Sequence, residues 1–588
     1  MTRSVTLAGW RRYELDPGRG VVAGAGGPPA LVVDGVESAL ACTSISDGPD
    51  RLSWRLEGDG LVVEVTARGD ATTGVVHTDV SVSGTGRLER VEVERQAGAA
   101  AATPGLGQPV LGDGWFAGIE HPGAEGLSLA VDVDLGRSGP YRLPPAVVGR
   151  AERGHELAAL WDEVDRVRAR PPGLIVLANN WYQLGYVGRM DEDTVADEIR
   201  GFRAVAAAHD LPLDYYCLDD PWDGRWVPET GLWGRMDPDR FRGGLESLLA
   251  ERGAGVRGLG LWVSPWGGYF DRHDLRVAWG GDHGYETEPG SWDRLCPAGD
   301  AYGHHLAESM ARHTAAGVRY WKIDGVQFDC ARPDHGHGGR TDQMDRFAAL
   351  LHRVRAVDPS TVLTFTSGSN PSPWWLRHAD FVWRGGLDDD APDFYDGGRH
   401  ERFATYIDGC LDALRPTTVP VSSIVTFSVV ENGARAYRDE GEGIDAWARH
   451  CWLLAGRGTH HHDLYVAPDS LSEGEWAALA EALRWARANE AVLARTRMVG
   501  GRPQAGQPYG FLSERYGEAV LCLRNPRAVP QPMALAFADG LAAVEVVAGR
   551  AGAVPDSVDA GTEVELEPFE VVLVSGRRRR RSRPGPPG

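Results

Sequence analysis

In the first part of the chain, apolar and polar residues alternate in short runs, as in Leu61-Val62-Val63-Glu64-Val65-Thr66-Ala67 and Leu88-Glu89-Arg90-Val91-Glu92-Val93-Glu94, with Gly-rich turns between them. A period of two turns one set of side chains to a buried face, so this stretch reads as antiparallel strands of a β-sandwich. After Arg170-Pro171-Pro172-Gly173 the rhythm changes. Apolar runs of strand length now alternate with stretches of helical period, which predicts βα units around a parallel sheet. Runs at 174–178, 213–218, 259–263, 319–323, 362–365, 381–383, 419–426 and, less distinctly, 459–465 supply eight strands. Helical spacing is clear at 239–250, 304–316 and 345–357. Ser472-Glu473-Gly474-Glu475 has the spacing of a capping box and opens the last long helix. From about Met498 the alternation returns, as in Ala519-Val520-Leu521-Cys522-Leu523. The fold expected is therefore multidomain: an N-terminal antiparallel β-sandwich (1–168), a central (β/α)8 TIM barrel (169–497), a small C-terminal antiparallel β domain (498–576) and a basic tail (577–588). A doubly wound open sheet is the alternative, but no Gly-rich phosphate loop follows an early strand.

A chain of 588 residues exceeds what one core usually holds, which agrees with this division. No apolar stretch is long enough to cross a bilayer, so no membrane partner is expected. The formal charge of -22 repels polyanions, which speaks against nucleic acid and acidic lipid and in favour of a neutral substrate. A homo-oligomer is compatible with the sequence. The run Arg577 to Arg581 reads as the start of a disordered, solvated tail. The N-terminal stretch has no apolar core of signal-peptide length, so a cytoplasmic location is expected. Seven scattered cysteines without a C-x-x-C pair predict reduced thiols and neither a zinc site nor a disulfide framework. His460-His461-His462-Asp463 would point to alternating faces of a strand, which suits a structural or substrate-lining role better than a metal site. No metal and no cofactor is expected.

In a barrel of this kind the active site gathers at the C-terminal ends of the strands, so a polar residue closing an apolar strand is a functional candidate. The second strand runs into Cys217-Leu218-Asp219-Asp220-Pro221-Trp222 and the fourth into Lys322-Ile323-Asp324-Gly325. The fifth ends Thr366-Ser367-Gly368-Ser369, and the sixth continues Trp383-Arg384-Gly385-Gly386-Leu387-Asp388-Asp389-Asp390. A retaining glycosidase needs an ionised carboxylate and a protonated carboxyl about 5 Å apart, and strands four and six supply such a pair. Lys322 points to the same side of its strand as Asp324 and is expected to keep that carboxylate ionised, which marks Asp324 as the nucleophile. Like charges crowded around Asp388 raise the pKa of at least one carboxyl there, as a general acid requires, with Asp389 and Asp390 open as alternatives. Any one strand-end aspartate, taken singly, could equally be a helix N-cap. Trp181, Trp222, Trp266 and Trp383 fall at strand ends, where their rings can stack on a sugar or simply fill the core.

The stretch Asp214 to Trp222, then Lys322 to Gly325, then Trp383-Arg384 through Asp388 resembles in order and placement the motif set of the α-galactosidase (melibiase) clan, glycoside hydrolase families 27 and 36. A large β domain before the barrel and a small one after it look more like family 36, as does Leu259-Gly260-Leu261-Trp262-Val263-Ser264-Pro265 as a third strand. The resemblance implies a retaining mechanism with Asp324 as nucleophile and Asp388 as acid/base. It further implies that Asp219 and Asp220 hold the axial 4-hydroxyl and the 6-hydroxyl of galactose, that Lys322 is a sugar-binding lysine, that Arg384 lies near the 2-hydroxyl, and that Trp181 is a weaker contact. Trp266 and Ser369 complete the substrate-binding candidates. In one respect the chain departs from the family: Thr366-Ser367-Gly368-Ser369-Asn370-Pro371 stands where the family presents a cysteine or glutamate that reads the 2-position, which leaves the exact sugar open. Galactose is favoured over glucose, because a sugar lacking the axial hydroxyl would leave one buried carboxylate desolvated and unmatched. The expected substrate is a small-molecule or oligosaccharide α-glycoside. An α-glucosidase or transglycosylase on the same barrel is the alternative enzyme. A carbohydrate-binding protein that has lost catalysis would lack one of the two carboxylates, and both are present.

Overall fold

The computed structural model describes residues 3–16, 20–23, 29–94, 105–224, 226–290, 292–388, 391–431 and 443–578. The N-terminal part forms three antiparallel sheets, the largest running from Val110–Gly112 through Trp115–Ile119, Ala146–Arg150, Val75–Gly84, Leu61–Asp70 and Arg51–Gly58 to Ala41–Gly48. Along Leu61–Asp70 the period of two holds, and Leu61, Val63, Val65 and Ala67 are buried. It fails along Arg87–Glu92, where the register shifts between Leu88 and Arg90 and the buried residues become Leu88 and Val91. An extra residue at a bulge re-aims every side chain beyond it.

The centre is a curled parallel sheet. Its strands in chain order are β1 (Ile175–Asn179), β2 (Tyr215–Leu218), β3 (Gly258–Val263), β4 (Val318–Ile323), β5 (Val362–Phe365), β6 (Val382–Trp383), β7 (Ile424–Val425), β8 (Val429–Glu431) and β9 (His461–Val466). Seven of them hydrogen-bond in the order β5-β4-β3-β2-β1-β9-β8, and β6 pairs β7 separately. A parallel bridge from Thr364 to Phe381 links β5 towards β6. The one expected strand at 419–426 is instead split. Val421–Ser423 forms a short 3-10 turn, and Phe427 interrupts the run with φ +56°. The Ser428 amide is thereby turned out of the ladder and donates to Asp463 Oδ1 at 2.8 Å.

Among the described residues, the helices of eight residues or more that follow these strands are α1 (Glu192–His209), α2 (Gly244–Glu251), α3 (Phe270–Asp282), α4 (Asp300–Ala315), α5 (Arg340–Val357), α6 (Arg399–Ala413), α7 (Ile444–Gly456) and α8 (Glu473–Ala488). The helix expected from 239 begins only at Gly244, because Asp237 closes a turn of its own by accepting the Asp239 and Phe241 amides. At α8 the expected capping box forms, with Ser472 and Glu475 bonding each other's backbone amides. The N-terminal sheets meet the centre through Trp374, buried among Phe116, Val147 and Leu160. A final antiparallel sheet of five strands follows, joined to α6 and α7 by a buried polar network. In it Arg524 binds Glu401 at 2.7 Å and the Tyr509 hydroxyl at 2.6 Å, while Arg457 binds Asp408 at 2.6 Å. The last strand, Val571–Arg578, includes the first two residues of the expected tail: Arg577 lies opposite Glu518, and Arg578 bonds the Phe537 carbonyl. Residues 579–588 lie outside the described part. Among the described residues no helix is long and apolar enough to cross a membrane.

His460, His461 and His462 are fully buried, and His461 Nε2 meets the Tyr320 hydroxyl at 2.9 Å. Burial lowers each imidazole from 6.5 to about 3, so all three are neutral in the native protein. As pH falls from about 6.5 towards about 3, the unfolded chain binds protons that the native chain refuses, and stability falls by about 1.4 kcal/mol per pH unit for each histidine. We expect the urea midpoint to drop through this window and His462→Leu to flatten the drop; parallel curves for the two proteins would refute this account of the acid sensitivity.

Candidate active site

Asp324 leaves the end of β4 with its amide still bonded to the Val263 carbonyl of β3 at 2.8 Å. The chain turns at once through Gly325 (φ +86°), where a Cβ would lie 2.1 Å from the indole of Trp266, so only glycine fits. Three donors fix the carboxylate. Ser367 Oγ donates to Oδ1 at 2.6 Å, the Tyr269 hydroxyl to the same oxygen at 3.0 Å, and Trp262 Nε1 to Oδ2 at 3.1 Å. Burial, and after it the charge of Asp324, raise the Tyr269 phenol above its ordinary value, so it stays protonated and keeps donating. Asp388 adds to the same shift, so the charges of both expected catalytic carboxylates are felt at one phenol.

Lys322 is close enough for Asp324 to favour its charged form, but its direct hydrogen bonds go elsewhere. Its ammonium bonds Asp219 Oδ2 at 2.7 Å and the Tyr465 hydroxyl at 3.2 Å, and it lies 5.6 Å and 5.4 Å from the ring centres of Phe427 and Tyr465. Burial disfavours the charged lysine, but Asp219 and then Asp324 outweigh it and hold the ammonium protonated. The Asp219 carboxylate also accepts from Asn179 Nδ2 at 2.9 Å and from the Asp220 amide at 2.9 Å. Asp220 is likewise engaged. Arg276 of α3 contacts it at 2.5 and 3.3 Å and Asp223 at 2.6 Å, with its guanidinium 4.3 Å from the ring centre of Trp233. Burial nevertheless raises the Asp220 carboxyl, against the pull of Arg276. Both aspartates, expected to hold sugar hydroxyls, are thus each paired with a buried cation of the protein.

Arg384 is also not where the 2-hydroxyl reading requires it. It is buried and donates to the carbonyls of Thr426 (3.2 Å), Gly385 (2.5 Å), Leu387 (2.6 Å) and Asp388 (2.8 Å), while stacking at 4.2 Å over Trp383. Its donors curl the loop that presents Asp388, which is exposed. Asp389 and Asp390, on which the like-charge argument rested, lie outside the described residues. Ser367, and not Ser369, is the hydroxyl of its loop that reaches Asp324. Trp181 opens a short π-helical turn and lies nearly parallel to the exposed Phe270, with ring centres 6.3 Å apart. Trp266 is buried against Trp292 and Tyr269 and covers Gly325. Trp222 is wholly buried, its Nε1 bonded to the Trp262 carbonyl at 2.6 Å, so it is core and not a stacking platform. Tyr269, Trp262, Asn179, Tyr465 and Arg276 are site residues that the sequence reading did not pick out.

No family model and no curated protein matches the sequence. Solved structures do, and they define the class: the chain has the fold of multidomain α-galactosidases of glycoside hydrolase family 36. It superposes on the α-galactosidase AgaA of Geobacillus stearothermophilus with a TM-score of 0.64 at 11% identity, over 98% of this chain and 100% of the other. The α-galactosidase of Lactobacillus brevis gives 0.63 at 11% over 95% and 88%. The galactosidase domain of the α-galactosidase-sucrose kinase AgaSK gives 0.61 at 14% over 94% and 88%. Variants of AgaA have been captured with raffinose and with stachyose. At these identities the likeness is one of fold.

The pairing of Lys322 with Asp219 has a direct consequence. Asp219→Asn leaves a buried ammonium without its counter-charge and should cost about 3–5 kcal/mol of stability, beyond any loss of activity. Adding Lys322→Met should recover much of the unfolding midpoint but none of the activity. A single variant as stable as the wild type would remove the pair from the structural account.

Proposed function

We propose that the protein is a retaining, exo-acting α-glycoside hydrolase that releases terminal α-linked galactose, with the curled sheet closed as a (β/α)8 barrel. The fold shared with family 36 α-galactosidases supports the class, and the Thr364–Phe381 bridge together with the β6–β7 and β8–β9 pairings supports closure. The observation that carries the reading is the clamp on Asp324. A carboxylate at a strand end, held by an indole from the neighbouring strand and a phenol and a hydroxyl from neighbouring loops, is oriented for attack in a way that a helix cap does not require.

In this mechanism a carboxylate oxygen of Asp324 attacks the anomeric carbon while Asp388 gives its proton to the departing glycosidic oxygen. Asp388 then takes a proton from water, whose oxygen displaces Asp324 and restores the anomeric configuration. Tyr269, Ser367 and Trp262 hold the nucleophile throughout. A carboxylate has about four acceptor positions. Beyond Lys322, Asn179 and the Asp220 amide on Asp219, and Arg276 on Asp220, each therefore retains capacity for a sugar hydroxyl, and a sugar lacking the axial hydroxyl would leave that capacity unmatched, which is the basis of the galactose assignment. Arg384 is withdrawn from the substrate contacts.

Asp324→Ala should lose about four orders of magnitude or more in kcat on nitrophenyl and natural α-galactosides alike, with azide restoring part of the turnover and inverting the product. Near wild-type activity in that variant would reject the nucleophile, and a wild-type protein faster on nitrophenyl α-glucoside than on the α-galactoside would reject the sugar.

Asp388→Ala should slow substrates with poor leaving groups by about 10²–10⁴-fold and nitrophenyl glycosides much less, since only the former need the proton. Equal losses on both would move the acid role to Asp389 or Asp390.

A further inference from the structure

The segment between α3 and α4 and the loop that leaves β4 bring a second set of reactive side chains together, apart from the carboxylates. Cys296 Sγ lies 3.2 Å from His337 Nε2, and Cys330 Sγ lies 3.3 Å from His335 Nδ1. One nitrogen or sulfur of each residue falls within 4.8 Å of every other, and Cys296, His335 and His337 are buried. We propose that Cys296, Cys330, His335 and His337 form a structural Cys2His2 zinc site that staples the segment between α3 and α4, which is bonded to the loop bearing Tyr269, to the loop that leaves Asp324.

The ligand spacing suits a tetrahedral ion. With zinc–sulfur bonds of about 2.3 Å and zinc–nitrogen bonds of about 2.0–2.1 Å, neighbouring donor atoms sit roughly 3.3–3.8 Å apart, within a few tenths of an ångström of both cysteine–histidine contacts. Two thiolates and two neutral imidazoles balance a divalent charge, so the loaded site can stay buried. Soft sulfur donors select zinc over magnesium or calcium, and four protein ligands leave no position for a reacting water. The supporting contacts are those a metal site needs. His337 Nδ1 donates to the Gly338 carbonyl at 2.9 Å, which fixes the proton there and leaves the Nε2 lone pair facing Cys296. Gln343 of α5 grips Cys330 on both sides, accepting its amide at 3.1 Å and donating to its carbonyl at 2.9 Å, and also reaches the Gly338 carbonyl at 3.3 Å.

The position gives such an ion a purpose. Cys296 follows Leu295, whose amide bonds the Trp266 carbonyl at 3.0 Å, and that loop also carries Tyr269. Cys330 lies on the segment that begins at Asp324. An ion shared by the two segments would help set the separation of the Tyr269 hydroxyl from the carboxylate it holds, beside the Arg294–Asp329 ion pair at 2.8 Å and the Ala331 amide that donates to Glu288 at 3.2 Å. The inference stands apart from the proposed activity and does not depend on the sugar.

The full chain, prepared without an oligohistidine tag and without added metal, should carry about one zinc per chain by elemental analysis after gel filtration. An organomercurial should release that zinc in step with thiol modification. After zinc removal, cobalt(II) should give the intense visible bands and thiolate charge-transfer absorption of a tetrahedral cobalt–thiolate centre. Cys330→Ser and His337→Asn should each lose the metal and lower the unfolding midpoint, while Cys42→Ser keeps both. Because either site variant could fail to fold, the cobalt spectrum of the wild type is decisive alone. A wild-type chain that binds neither zinc nor cobalt, a Cys330→Ser protein with its full zinc content, or a Cys296–Cys330 disulfide found by mass spectrometry would each overturn the proposal.

Discussion

The constraint on which the centre of the molecule depends is the matching of buried charge between neighbouring strands. Lys322 on β4 must meet Asp219 at the end of β2, across β3, and it does so only in one register. Side chains alternate along a strand, so a slip of one residue would turn Lys322 and Asp324 together towards the helices, where neither charge has a partner. Burying an ion unmatched is far more unfavourable than misplacing a methylene. The same pair thus selects the register that puts Trp262 beside Lys322 and Asp324 beyond both. Arg276 does the equivalent work one layer out, tying α3 to Asp220 and Asp223.

The N-terminal sheets take part in the site through one loop. The segment after β5 is fastened from outside the parallel sheet: Asn370 donates to the Pro122 carbonyl at 2.8 Å, Ser372 to the Gly107 carbonyl at 2.7 Å, and Gln108 spans from Pro371 to the Thr418 amide. Gly107 allows this contact because a Cβ there would lie 2.5 Å from that of Ser372. Held in this way, the loop delivers Ser367 to Asp324. The first domain therefore positions a group beside the nucleophile, and an isolated parallel-sheet region would lack that restraint.

Much of this was legible in the sequence where periodicity and strand ends carry the signal. Asp324 and the Asp219–Asp220 pair follow from the rule that a polar residue closing an apolar strand is functional, and Asn179 would have followed too had the first strand been read one residue longer. What was not legible depends on side chains meeting across loops. Tyr269 sits just before α3 with nothing local to mark it, and Ser367 rather than Ser369 reaches the carboxylate only because Gly368, at φ +83°, turns the loop between them. The partners of Arg384 and Lys322 belong here too: Lys322 bonds Asp219 across β3, and Arg384, placed near the 2-hydroxyl by resemblance alone, spends its donors on main-chain carbonyls. The scattered cysteines were read as offering no zinc site because Cys296 and Cys330 come from different loops and form no local motif with His335 and His337.

The two carboxylates of the proposed mechanism also differ in the way their tasks require. A nucleophile needs one orientation and shelter from competing partners, and Asp324 is half-buried with three donors on its two oxygens. An acid/base must give up a proton in one step and regain it from water in the next, so it has to remain in contact with solvent. Asp388 is exposed, and Arg384 binds the Leu387 and Asp388 carbonyls and so fixes the backbone that presents it. An arginine that made its contacts to the sugar would not brace this loop. On this reading Arg384 serves catalysis through the backbone of Asp388, while Ser367, Tyr269 and Trp262 serve it through the side chain of Asp324.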